Sequence, residues 1–196
     1  MLNNGFSSIV VDYLQTRFKS DDVATVCIYC NYKEKKEQDA QSLIASILKQ
    51  LVQDCEIVSE DMKTQFRPHV KREAHLPPED LTRVLHVEIS RRHRVFLVVD
   101  ALDECTEESS TRAELLDELK SLPENVNLLV TSRRISAIMN DFEGAESLEI
   151  YADDKDTTRY VLGRVQREHR LARHVKADPG LQQAIINGII SKAQGM

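Results

Sequence analysis

Three acids crowd the end of one apolar run. In "VFLVVDALDEC", residues 95–105, five apolar residues lead into Asp100, and Asp103 and Glu104 follow within four positions. A second apolar run, "VNLLVT" at 126–131, leads into Ser132 and Arg133. If the two runs are parallel neighbours in one sheet, carboxylates and an arginine meet at the same edge. That combination suits phosphate chemistry. Asp100 would hold a Mg²⁺ that bridges phosphate oxygens, an acid such as Glu104 would orient or deprotonate a water, and Arg133 would sense the γ-phosphate. The bland alternative is a strand whose trailing acids are only solvated. A pattern of four apolar residues, then D-A-L-D-E, then a later strand ending "TSR" is more specific than any lone apolar run ending in Asp.

Elements that could place those residues are legible from periodicity. Val10, Tyr13, Leu14 and Phe18 predict a helix over 7–18, and "VATVCIYCNY" at 23–32 predicts a strand. Residues 39–54 carry two adjacent stripes, Leu43, Ile47, Leu51 and Ile44, Leu48, Val52, on one helix face. Residues 59–75 read as a polar helix. "LPPEDLTRVLHVEISRR" opens with prolines and acids, a helix-start signal. Further helices are expected at 111–122, 154–169 and 180–193, with strands at 95–99, 126–131 and 146–152. Strands alternating with helices predict a parallel α/β sheet. "VFLVV" and "NLLV" are apolar on both faces, as central strands between helix layers should be.

Other constellations carry less. Cys27-x-x-Cys30 lies inside the first strand, where residues three apart point to opposite faces, and no second pair or ligating histidines complete a zinc set. Cys30 and Cys105 read as packing residues. His69, His75, His86 and His93 fall in polar stretches and read as solvent-facing. "NYKEKKEQD" at 31–39 reads as a solvated loop.

Composition bounds the rest. The chain has 196 residues, 41% hydrophobic and 30% charged, with net charge −6 and four cysteines. Those values describe a globular chain without a whole-surface attraction for nucleic acid or anionic membrane. No run approaches the roughly 18 apolar residues of a membrane span. The start, "MLNNGFSSIVVDYLQ", shows no basic region and no small-residue cleavage site. A cytoplasmic location is the expectation.

"VFLVVDALDEC" resembles the Walker B motif of NACHT-type STAND NTPases, and "LLVTSRR" resembles their sensor 1 strand. "ESLEIYADDKDTTRYVLGRV" and the final "IISKAQGM" resemble the segments that follow in the fungal subgroup with a nephrocystin-3-like N-terminal domain. The resemblance implies a three-layer P-loop NTPase sheet and an ATP- or GTP-driven, Mg²⁺-dependent switch for self-assembly in signalling, innate immunity or incompatibility. It implies Asp100 as the Mg²⁺ acid acting through water, Asp103 and Glu104 as the distal catalytic pair, and Arg133 as the phosphate sensor.

One motif is absent. A P-loop needs G-x-x-x-x-G-K-[ST], and none of the six glycines precedes a lysine. In the family that loop falls just before the helix that here reads "SSIVVDYL", and an apolar central strand precedes it. The expectation is a fragment: a partial NTPase core over 1–175, lacking its first central strand, then the start of a helical domain over 176–196. Its partners in an intact parent would be nucleotide, the upstream P-loop segment and a downstream repeat domain. The rival expectation is a non-enzymatic interaction or scaffold domain that keeps a relic of the fold.

Overall fold

The structure is a computed structural model and describes residues 3–34, 38–53, 77–105, 110–150 and 153–193. The chain divides into two compact units, after Glu143.

The first unit is built on three strands, β1 (Val23–Tyr29), β2 (Arg94–Asp100) and β3 (Val126–Val130). All pair in parallel in the order β1-β2-β3. Four predicted helices form, α1 (Asn3–Arg17), α2 (Ala40–Gln53), α3 (Pro78–Ser90) and α4 (Thr111–Ser121), and a short α5 (Ser136–Asp141) follows β3. The two stripes on α2 bury Leu43, Ile44, Ile47, Leu48 and Leu51. On α3, a proline in the first turn and the acids Glu79 and Asp80 mark the start, and Leu81, Val84, Leu85 and Ile89 turn inward.

Side chains alternate across a strand, so β2 feeds both faces. Val95, Leu97 and Val99 join the main core with residues of α2, α3 and α4. On the other face, Phe96 stacks on Phe18, just past α1, at 4.9 Å between centroids, and Asp100 meets Ser7 of α1. Helices therefore cover both sides of the central strand.

"NLLV" reads as a central strand by its apolar faces, but among the described residues β3 pairs with β2 alone, as the missing first strand would leave it, and Leu128 and Leu129 stay 38% and 36% exposed. With a ladder on one side only, its apolar residues are incompletely covered. The strand expected at 146–152 does not form over 146–150, where every residue is exposed, Leu148 and Ile150 included. Alternation selects which face of a strand would be buried but supplies no partner for its backbone, and an unpaired strand has no ladder to hold it. The first predicted strand stops at Tyr29: Cys30 N–H makes the last ladder bond, to the Asp100 carbonyl (3.0 Å), and β2 itself ends there, at the turn made by Ala101. The polar helix expected at 59–75 lies outside the described residues.

The outer edge of β1 is closed by two glutamines. The Gln50 amide accepts from Cys27 N–H (3.0 Å) and donates to the Cys27 carbonyl (2.8 Å). The Gln38 amide donates to the Tyr29 carbonyl (3.0 Å) and accepts from Asn31 N–H (2.9 Å). Two side chains thus stand in for the peptide groups of a neighbouring strand.

The second unit opens at Gly144, whose φ of +86° only glycine adopts without strain. It holds α6 (Asp154–Arg167), α7 (His169–Ala177) and α8 (Pro179–Ala193). Asp153 caps α6 by accepting from Lys155 N–H. Val161, Val165, Val175 and Ile186 form a separate small core. Sequence periodicity anticipated α6 and α8 but not α7. Among the described residues, no helix is long and apolar enough to cross a membrane.

Candidate functional site

The carboxyl ends of the strands gather the residues singled out by type. Tyr29 stands opposite Asp100 and Val99 opposite Val130, so β2 and β3 deliver Asp100 and Thr131 to the same edge. Two backbone bonds lock that edge: Thr131 N–H to the Val99 carbonyl and Leu102 N–H to the Thr131 carbonyl, each 2.9 Å.

Asp100 is 1% exposed. One carboxylate oxygen, Oδ1, accepts from the Ser7 hydroxyl and from the Thr131 hydroxyl (2.6 Å). The Thr131 oxygen in turn accepts from Ala101 N–H at 2.9 Å. One threonine therefore ties the acid to the turn that follows it. Ala101 makes that turn in the left-handed region, at φ 56° and ψ 49°. Such a conformation costs a residue with a Cβ about 1–2 kcal/mol, and a small side chain limits that cost. The reversal folds residues 102–104 into a 3-10 turn carrying the other two acids.

Those acids take different partners. The Asp103 side chain is buried, and both its oxygens are engaged by Arg133: Oδ1 accepts from the backbone N–H at 3.0 Å and Oδ2 from Nε. The rest of the arginine side chain is exposed. The hydrogen bond to Asp103 and its charge hold the Arg133 guanidinium above its ordinary range, so it stays a cation throughout the working pH range. Glu104 turns the other way, and its Oε2 accepts from Tyr32 N–H at 3.3 Å, beyond the end of β1. The fold thus joins Asp103 to Arg133 and Asp100 to Thr131, and holds Glu104 against the neighbouring loop.

A resident Mg²⁺ is tested by this donor set. Asp100 is sealed by two hydroxyls and Asp103 is neutralised by an arginine. Among the described residues no three His, Cys, Asp or Glu side chains are grouped to hold a metal. As arranged, these residues do not fit a metal cage.

Two thiols complete the edge. Cys30 and Cys105 both lie buried in the main core. A side-chain hydrogen bond with Cys105, with burial, pushes the Cys30 thiol up. The same bond, helped by the Arg112 charge, lowers that of Cys105. Sequence reasoning treated these cysteines singly and did not pair them. It also missed Ser7, whose only sequence signal was a small polar residue on the inner face of an apolar helix. His86, expected to face solvent, is instead half-buried between α3 and α4, its Nε2 3.4 Å from both Glu118 Oε1 and Ser121 Oγ. Turning α3 to bury Leu85 and Ile89 brings His86 against α4.

Comparison with known proteins bears on this assembly. No curated protein and no solved structure matches the chain. The family described as "Nephrocystin 3, N-terminal" matches residues 6–133, from the helix that supplies Ser7 to the arginine that closes on Asp103. On that match, which spans about two thirds of its length, the chain belongs to the nephrocystin 3 N-terminal family.

Proposed function

We propose that the chain is the acid- and arginine-bearing part of a nucleotide-responsive regulatory switch of the NACHT type, a signalling module whose intact form takes ATP or GTP. One juxtaposition carries the reading. Adjacent parallel strands bring Asp100, Thr131, Asp103 and Arg133 to one carboxyl edge, the place where open parallel sheets take their ligands. The 196 residues hold no G-x-x-x-x-G-K-[ST], and the backbone N–H groups and lysine of such a loop supply the main grip on phosphates. This chain by itself therefore binds nucleotide weakly.

The test is a gain of binding. An apolar strand followed by a G-x-x-x-x-G-K-S loop is placed ahead of α1, and a fluorescent ATP or GTP analogue is titrated with and without Mg²⁺. The expected result is micromolar affinity that the unextended chain lacks. In the extended chain Glu104→Gln should keep binding and suppress hydrolysis. A folded extended chain that still binds nothing overturns the reading.

That outcome would favour a second one, a non-enzymatic interaction scaffold. The observation on its side is that the edge satisfies itself: Asp103 is spent on Arg133 and Asp100 on two hydroxyls.

A further inference from the structure

We propose that Cys30 and Cys105 form a reversible disulfide site that pins the turn bearing Asp103 and Glu104 to the end of β1. The placement follows from the sheet. Tyr29 stands opposite Asp100, so Cys30 leaves β1 beside the point where β2 ends, and its N–H donates to the Asp100 carbonyl at 3.0 Å. The left-handed step at Ala101 and the 3-10 turn then swing the chain back. Cys105 N–H closes that turn on the Leu102 carbonyl at 3.1 Å, while Glu104 reaches Tyr32 N–H. Residues 30–32 and 104–105 are thus brought together at the end of the sheet, and the two thiols, 5% and 7% exposed, share one core cluster. Cys27, half-buried and three residues earlier, has its backbone tied to Gln50 on the outer edge and is not part of this cluster.

The chemistry needs a two-electron oxidant, and hydrogen peroxide, of nearly water size, serves. The Cys105 sulfur attacks one peroxide oxygen; the O–O bond breaks, giving a sulfenic acid at Cys105 and one water. The Cys30 sulfur then attacks the Cys105 sulfur, the S–O bond breaks and a second water leaves, carrying the Cys30 proton. Two thiols are oxidised to one disulfide and one peroxide is reduced to two waters. The asymmetry of the pair fits those roles, since Arg112 and the Cys30 S–H both favour a thiolate at Cys105. A dithiol reductant reverses the bond. The proposal stands whether or not the edge takes nucleotide.

The experiment treats the reduced full chain with hydrogen peroxide, blocks remaining thiols, and maps linked peptides by mass spectrometry without reduction. The expected product is a Cys30-to-Cys105 link, reversed by dithiothreitol. Closing a loop of this length should raise Tm by on the order of 10 °C. Cys30→Ser should abolish the link and leave a sulfenic acid at Cys105 that dimedone traps; Cys105→Ser should abolish both. Oxidation that links other cysteines, or leaves Cys30 and Cys105 as free thiols while Cys27 reacts, would overturn the proposal. So would a link that lowers Tm, which would mean that the native geometry opposes it.

Discussion

Thr131 does more at this edge than its position at a strand end suggests. Its hydroxyl donates to the buried Asp100 and accepts from the N–H of Ala101, a residue already held in the left-handed region. Removing it deprives a buried carboxylate of one donor and leaves a backbone N–H without its acceptor, with almost no change in volume. Thr131→Val should therefore cost about 2–3 kcal/mol, read as a lowered urea midpoint at unchanged m-value. Thr131→Ser keeps the hydroxyl and should recover most of that loss. If Val and Ser behaved alike, the hydroxyl would not be what holds the turn. Ser7 makes the same kind of contact from the opposite side, so Asp100 is gripped by α1 and β3 together. A carboxylate in that position is first a structural centre, whatever chemistry it also serves.

At the scale of elements, the two edges of the sheet are handled differently. On β1, the amides of Gln38 and Gln50 satisfy four backbone groups that would otherwise invite another strand. On β3, no such guards are present among the described residues, and Leu128 and Leu129 are left partly exposed. The double change Gln38→Ala with Gln50→Ala should therefore open β1 to strand pairing between copies. The expected outcome is an increase in mass with concentration in size-exclusion chromatography with light scattering, relative to the unaltered chain. An unchanged mass over the same range would mean that the glutamines only fill space beside α2.

Over the whole molecule, the two compact units have separate cores. Every residue of the larger cluster precedes Gly144, and every residue of the smaller one follows it. A chain ending at Glu143 should thus keep a cooperative thermal transition and the Asp103 to Arg133 pair, seen as retained Arg133 N–H protection in hydrogen exchange. Loss of cooperativity on removing residues 144–196 would show that the larger core depends on the helices. The three helices 154–193, with four buried residues among them, form a small core and should be only marginally stable alone.

Local physics made much of this readable in advance. The stripes of α2, the proline-and-acid start of α3 and the unbroken apolar run of β2 each bury what their periodicity marks, because each pattern is satisfied within one element or against one neighbour. Asp100, Asp103, Glu104 and Arg133 also emerged from the sequence as a group, since residues at the ends of parallel strands must share an edge. How they pair did not emerge: Asp103 with Arg133, Asp100 with Ser7 from 93 positions away, and Cys30 with Cys105 all depend on a turn at Ala101 and on strand register. The same limit explains residues 146–150, whose alternation resembles a strand. A helix closes its hydrogen bonds within itself, whereas a strand needs a partner that only the tertiary fold can place. Local pattern thus sets most of the elements and the chemistry available at their ends, whereas long-range backbone pairing decides which groups meet there.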